Sequence, residues 1–341
     1  MSLRLAILHS PTFVLIIANY MLKIGIFGVG HLGAVHVQLL QELSSDYEIV
    51  GFVDPSDANA HRIQQQFGIR RFFEVNELID LCDCIDIVAP TSQHFDLAST
   101  AIKRSKHVFI EKPITQTVEQ AKKLLQLASE ASVQVQIGYV ERFNPAFVGA
   151  LPHINRPMHI EMQRLTPFSS RGSDVSVVLD LMIHDLDIVL SVVKSTVKRV
   201  VANGVAVMSS TPDIANARIE FDNGCVATIT ASRISKTNVR KAQFFQRNAS
   251  ITVDFLEKEV EIIHQTSALQ ALEKNTPFSI EKPVIFSSNA MREELHSFAT
   301  AIRTNSTPVV SIEDACRSME LAEIITERLK ATSLRRTHFT V

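Results

Sequence analysis

Cysteine is scarce in this 341-residue chain, and that scarcity limits what it can be. Cys82, Cys84, Cys225 and Cys316 are too few for a disulfide scaffold, and none forms a Cys-x-x-Cys pair. Cys82 and Cys84 read instead as small apolar residues entering a strand. A surplus of one charge sign is missing as well. Lys+Arg is 34 against Asp+Glu 36, a net −2, so no broad basic field draws the chain to nucleic acid or an anionic membrane. Long apolar runs are absent too: Phe13-Val14-Leu15-Ile16-Ile17-Ala18 falls short of the roughly 18 residues that span a bilayer. What is present is ordinary for a soluble globular protein, 46% hydrophobic and 21% charged. The length suggests two domains at about 150 residues each. Such a chain buries about three quarters of its unfolded surface, enough to fold without a disulfide or structural metal.

Residues 1–20 are expected to be an extension upstream of the fold, since Met21 stands directly before the apolar Leu22-Lys23-Ile24-Gly25-Ile26-Phe27. A secretory signal is the competing reading. His9-Ser10-Pro11 interrupts its apolar run and no small-x-small cleavage site follows, so a cytoplasmic protein is expected.

From residue 21 to 145 short apolar runs alternate with amphipathic stretches. Strands are predicted at 23–27, 48–53, 84–88, 107–110 and 133–137, with helices at 31–43, 57–67, 94–104 and 117–131. Continuous apolar strands separated by helices imply a doubly wound parallel sheet of the Rossmann type. From 146 to 330 the pattern becomes mostly antiparallel, with strands at 158–165, 200–206, 217–221, 226–231, 251–256 and 259–264. Asp222-Asn223-Gly224 marks a hairpin, a helix is inserted near 178–193, and two late helices span 292–303 and 312–330. The fold class is α/β, a Rossmann domain followed by an α+β domain, with the last helix packing back on the first.

Gly28-Val29-Gly30-His31-Leu32-Gly33 follows the first predicted strand and opens the first helix. In that context Gly28 permits a tight turn, Gly30 lets the backbone approach a pyrophosphate, and Gly33 lets helix and strand pack closely. The helix N-terminus, beginning at His31 and Leu32, offers free N–H groups to the anion. Asp54 ends the second strand, where a carboxylate accepts hydrogen bonds from an adenosine ribose. Pro55 and Ser56 beside it bring no cation, so NAD is expected over NADP, although Arg62 lies one helix away.

Loops at the carboxyl ends of parallel strands line the ligand crevice, which places Pro90, Thr91, His94, Glu111 and Lys112 there. A lysine in that position can stabilise negative charge developing on a substrate oxygen. Taken alone, Glu111-Lys112 would be a surface pair. It occurs in order with His36, Pro90-Thr91…His94, Glu111-Lys112-Pro113, the stretch from Gly138-Tyr139 through Glu141-Arg142-Phe143-Asn144-Pro145, and Asp180-x-x-x-His184-x-x-Asp187.

That set resembles the glucose-fructose oxidoreductase / inositol dehydrogenase (Gfo/Idh/MocA) family over about residues 22–330, including Asp314. The resemblance implies an NAD(P)-dependent oxidoreductase of sugars or cyclitols. It also implies a second domain with an open-faced antiparallel sheet that mediates oligomerisation, here to a homodimer or homotetramer. Lys112, Asp180 and His184 match the family's catalytic positions. The chain departs from the family at Met182, where glycine is common, a change that could narrow the pocket.

Residue spacing agrees with that transfer, because Asp180 and His184 at i and i+4 share a helix face. A histidine of ordinary pKa near 6.5 suits removal of a hydroxyl proton as hydride leaves carbon. Asp180 would bind a substrate hydroxyl, orient His184, or both. No cysteine or second histidine accompanies them at ligand spacing, so no metal is expected. Arg164 and Arg171, just before the helix, are candidates to clamp an anionic substrate tail, with interdomain salt bridging as the alternative. Tyr139 is expected at the substrate and Arg142 at the domain junction. The pattern is most similar to the nucleotide-sugar branch, including UDP-N-acetylglucosamine 3-dehydrogenases. A free sugar or inositol dehydrogenase, or a non-catalytic dinucleotide or sugar sensor, remains the alternative.

Overall fold

Alternate residues of each short strand go to opposite sides of the first sheet, and that is how it acquires two apolar faces. In β4 (His107–Glu111), Val108 and Ile110 enter one buried cluster and Phe109 enters another. The computed structural model describes residues 20–169, 175–266 and 278–336. Arg171 and residues 1–19 of the expected extension lie outside the described residues.

β1 (Leu22–Phe27), β2 (Tyr47–Val53), β3 (Cys84–Ile87), β4 and β5 (Val135–Gly138) pair in parallel in the order β2-β1-β3-β4-β5. The order reverses at β1, so a crevice opens between the loops that leave β1 and β3. Helices α1 (His31–Glu42), α2 (Asp57–Phe67), α4 (Thr91–Ile102) and α5 (Val118–Ala131) connect the strands. The ends of α2 follow from local chemistry: Ser56 Oγ accepts from the Asn59 N–H, and Gly68 ends the helix with φ 69°. The sequence reading missed α3 (Val75–Leu81), whose seven residues are too few to display a helical period.

Among the described residues the second sheet has eight strands: β6 (His159–Leu165), β7 (Val197–Val205), β8 (Ile214–Phe221), β9 (Val226–Ser232), β10 (Val239–Gln246), β11 (Ala249–Asp254), β12 (Glu259–Gln265) and β13 (Phe278–Glu281). Their order is β13-β12-β11-β10-β6-β9-β8-β7, and every neighbouring pair is antiparallel except β6 with β9. Gly224, at φ 87°, closes the predicted β8–β9 hairpin. Along β6, Ile160, Met162 and Arg164 are buried while Glu161 and Gln163 are exposed, so one face is open. The sequence reading also missed β10, which is central and pairs with both β6 and β11.

On the covered face lie α6 (Pro145–Ala150), α7 (Ile183–Val192) and part of the long C-terminal helix α9 (Ile312–Arg336). α9 does more than pack back on the first sheet. Ala315, Cys316 and Met319 join the core of the first sheet, and Leu321, Ala322, Ile325 and Leu329 join that of the second. α8 (Ala290–Thr304) seats Leu295, Phe298 and Ala299 against Leu22, Ile24 and Ile26 of β1. Among the described residues no helix is long and apolar enough to cross a membrane.

Candidate active site

The crevice at the strand-order reversal encloses about 970 Å³ and is lined by Gly28, Gly30, Asp54, Pro90 and Thr91 among others. Its glycines do different work. Gly28 has φ 90°, a backbone that side-chain-bearing residues seldom adopt. At Gly33 an added Cβ would lie 2.1 Å from the Gly28 carbonyl oxygen, so α1 and the loop touch there. At Gly30 an added Cβ would meet nothing within 4 Å, which leaves room for a ligand against the main chain. No side chain caps α1 at Gly30, so its first N–H groups are available to an anion. His31 and Leu32 are exposed, and they bring their main-chain N–H groups rather than their side chains to this end of the helix.

Asp54 holds the loop from beneath. Its Oδ2 accepts from the Val29 N–H at 2.8 Å and its Oδ1 from the Ser56 N–H at 2.8 Å. Arg62 donates to the carbonyls of Val29 and Gly30 at 2.9 and 3.1 Å, so this guanidinium is tied to the loop. Open space at Gly30, an uncapped helix N-terminus and a carboxylate at the end of β2 together fit a dinucleotide.

Two residues expected at the cofactor face elsewhere, and each is a correction. His94 is buried, with Nε2 2.7 Å from the Ala89 carbonyl and Nδ1 3.0 Å from that of Pro113. It ties the β3 loop to the β4 loop. Burial pushes its pKa down against the pull of those carbonyls. Glu111 turns below the loop, where Oε1 lies 3.3 Å from His36 Nε2 and Oε2 accepts from the Lys112 N–H at 3.1 Å. His36 Nδ1 lies 2.9 Å from Asp86 Oδ2. Burial alone would lower the His36 pKa, but Asp86 and Glu111 reverse that and hold it well above its ordinary value. A buried imidazolium between two carboxylates thus underlies the strand ends, and its Glu111 arm holds the backbone of Lys112.

Glu294 of α8 is buried in the same region, and among the described residues neither of its carboxyl oxygens has a hydrogen-bond partner. Burial first, then Glu111 and Asp86, raise its pKa well above the ordinary value. The folded chain therefore holds a proton that the unfolded chain releases above about pH 4.5. Between that pH and the folded pKa, stability falls as pH rises. Glu294→Gln removes the titration and should raise the melting temperature at pH 8. The gain should shrink towards pH 5, and a melting shift equal at the two pH values would refute this account.

Asp180 lies in a π-helical turn, Val178–Met182, that leads directly into α7. A π-turn widens the helix by one residue, a distortion frequent at functional sites. The i, i+4 spacing of an ordinary helix is therefore modified here. Lys112 Nζ donates to the Asp180 carbonyl at 3.0 Å and lies 3.4 Å from its Oδ1. His184 follows in the first turn of α7, with its Nδ1 buried and, among the described residues, unpartnered. Burial, then the positive charges of Lys112, Arg164 and Arg240, push its pKa well below the ordinary value, so the imidazole is neutral at neutral pH. The amine, carboxylate and imidazole named from the sequence are thus brought into one region. Met182 is fully buried in the core behind them, away from any pocket it was expected to narrow.

Tyr139 and Arg164 also require correction. Tyr139 is 0% exposed and stands edge-on to the His184 ring at 6.2 Å, so it supports the imidazole and is closed to substrate. Arg164 is 3% exposed. Its Nε and Nη2 donate to Asp185 Oδ1 at 3.0 and 2.8 Å, and its Nη1 to Glu141 Oε1 at 2.9 Å. Two carboxylates on α7 and on the segment after β5 saturate it, so it links the two sheets and does not present itself to a substrate tail. Arg142 stands at the junction as expected, bound to Asp187 at 2.7 and 3.1 Å and 3.4 Å from Asp314. Burial pushes the Asp187 carboxyl up to about 6 despite that arginine.

Comparison with known proteins now decides the family. The model of an oxidoreductase family with an NAD-binding Rossmann fold matches residues 22–139, and that of the Gfo/Idh/MocA C-terminal domain matches residues 153–252. A UDP-N-acetylglucosamine 3-dehydrogenase of Acidithiobacillus ferrooxidans is 34% identical over 245 residues, 72% of this chain and 77% of the relative. The chain belongs to the Gfo/Idh/MocA family. It is an oxidoreductase with an NAD-binding Rossmann domain. The solved structure of UDP-N-acetylglucosamine 3-dehydrogenase from the same organism superimposes with a TM-score of 0.86 at 30% identity, over 92% of this chain and 98% of that one. The scyllo-inositol 2-dehydrogenase (NAD(+)) of Bacillus subtilis is 26% identical over 323 residues, covering 89% of this chain and 92% of that one.

Proposed function

We propose that this member of the family oxidises a secondary hydroxyl on a sugar ring, with NAD as acceptor and a nucleotide sugar such as UDP-N-acetylglucosamine as substrate. The contact of Lys112 with Asp180, beside a neutral His184, carries the reading. Gly28, Gly30, the N-terminus of α1 and Asp54 would hold the dinucleotide, which supplies the hydride acceptor when bound. His184 takes the hydroxyl proton as the carbon gives up hydride, because the ring is neutral before reaction and keeps a nitrogen lone pair to accept one. With Nδ1 sealed, Nε2 is the nitrogen that meets the substrate. Lys112 lowers the energy of negative charge growing on the same oxygen. Asp180, 39% exposed, fixes the amine and accepts from a neighbouring ring hydroxyl. The polar open face of the eight-stranded sheet is the surface on which we expect copies to associate as a dimer or tetramer.

An inositol is the second reading, favoured by the greater length over which the scyllo-inositol relative aligns. NADH formation measured with UDP-N-acetylglucosamine, other UDP-sugars, free N-acetylglucosamine and inositols separates the two. A kcat/KM at least tenfold higher for a UDP-sugar than for any inositol is expected. The opposite order would replace the first reading by the second, and no turnover with any ring alcohol would remove both.

A further inference from the structure

With Arg164 saturated by carboxylates, a different cation stands open at the site. Arg240 lies on β10, directly across the sheet from Arg164 in the β6–β10 register. Both arginines reach the same atom, Glu141 Oε1, Arg164 at 2.9 Å and Arg240 at 3.4 Å. Their surroundings differ: the Arg164 side chain is 3% exposed and that of Arg240 is 42%. Among the described residues Arg240 makes this one long contact to a carboxylate, while its Nε is buried without a hydrogen-bond partner. A guanidinium carries five N–H donors in a planar fork shaped for two oxygens of one anion. The Nε is closed to an incoming ligand, so the terminal Nη groups of this part-exposed side chain are the donors that would meet the oxygens of an anion. The position is also right: Arg240 shares Glu141 with Arg164, whose other partner, Asp185, directly follows His184 in the chain.

We propose that Arg240 receives the phosphate of a phosphate-bearing sugar substrate, the role its strand neighbour Arg164 cannot fill. This rests on the sugar-dehydrogenase reading and deepens it by naming the charged part of the substrate and its receptor. The phosphate is that of a nucleotide sugar or of a simple sugar phosphate, and one cation serves either. The competing role for Arg240 is charge balance for Glu141, which would make it indifferent to the ligand's charge.

The test is equilibrium binding by calorimetry to the full-length, NAD-loaded protein. UDP-N-acetylglucosamine is paired with N-acetylglucosamine, and glucose 6-phosphate with glucose. Arg240→Gln should weaken the phosphorylated member of one pair at least tenfold while its uncharged twin shifts less than about twofold, so the preference within that pair collapses. The pair that responds identifies the source of the phosphate. Arg240→Lys, which keeps the charge but loses the fork, should fall between. Equal weakening of both members of each pair means a structural role through Glu141 and overturns the proposal. So does an unchanged preference, or a wild-type protein that prefers neither phosphorylated ligand. NADH formation is read separately. If a phosphorylated ligand shows the Arg240 dependence yet no sugar is oxidised, the dehydrogenase reading fails and the anion site stands. If an uncharged ring is oxidised and no pair responds, the anion site fails alone.

Discussion

Lys112→Ala should lower kcat by roughly 10²–10⁴-fold, the range for removing a group that stabilises charge or moves a proton in the transition state. NAD binding should persist, because the loop, Asp54 and the α1 N-terminus that would hold the dinucleotide do not depend on this side chain. In the fold the ammonium is fixed at 3.0 Å from the Asp180 carbonyl and is 22% exposed, so it is both positioned and reachable. The substitution has a second signature in pH. After burial, Lys112 is the foremost charge holding the His184 pKa down. Removing that positive charge makes the imidazolium easier to form, so the histidine pKa rises. The acidic limb of kcat/KM should then move to higher pH. Lys112→Arg keeps the charge, so its limb should stay near that of the wild type even where kcat falls. Steady-state rates from pH 5 to 9, with NAD affinity measured in parallel, check all of this. An unchanged kcat, or a limb moving to lower pH, would remove Lys112 from its assigned place.

That triad was legible before any coordinates because each member sits in a segment with a strong local signal. Lys112 ends an apolar strand before a proline, and Asp180 and His184 stand four residues apart in a helical pattern. The glycine loop was legible for the same reason: its spacing is imposed by one turn and one helix end. Spacing could not reveal the π-turn at Val178–Met182, because a one-residue widening leaves no mark on apolar periodicity.

What the sequence hid was partnership. Arg164 and Arg171 looked equivalent as cations before the helix that carries His184. Only the tertiary fold brings Glu141 and Asp185 onto Arg164 and buries all three. Arg240 went unnoticed because its strand, Val239–Gln246, carries Arg, Lys and Gln and lacks clean alternation. That strand is stabilised by two flanking strands rather than by its own apolar content. Glu111 was placed by chain position near the crevice and Tyr139 at the substrate by the motif it belongs to, but in a strand or the turn after it a neighbouring residue can face the opposite way. Lys112 faces the site, while Glu111 faces His36 and Tyr139 lies buried behind His184. His94 was misread for a related reason: two backbone carbonyls from separate loops claim its ring, and neither is visible in a linear motif.

The glycine loop permits a second large prediction, in which two neighbouring glycines give opposite results. Gly30 has φ −62° and open space around the position of a Cβ, so Gly30→Ala should fold with a melting temperature close to that of the wild type. The added methyl fills the space a pyrophosphate would occupy against the main chain, and NAD affinity should fall by about 10–100-fold, on the order of 1.4–2.8 kcal/mol. At Gly33 the nearest obstacle is the carbonyl oxygen of Gly28 at 2.1 Å, a backbone atom that cannot swing aside. Gly33→Ala must push α1 off β1, which takes van der Waals contact from Val29, Val37 and Leu40 and tilts the helix N-terminus away from the crevice. Overpacking of this kind typically destabilises by about 1–3 kcal/mol, and more where the obstacle is backbone. Calorimetric melting and NAD titration of the two variants separate the effects: Gly30→Ala stable but weakly binding, Gly33→Ala failing in both. If Gly30→Ala bound NAD as tightly as the wild type, the dinucleotide would not approach the chain at that glycine. The open space there would then lose its meaning as the cofactor's seat.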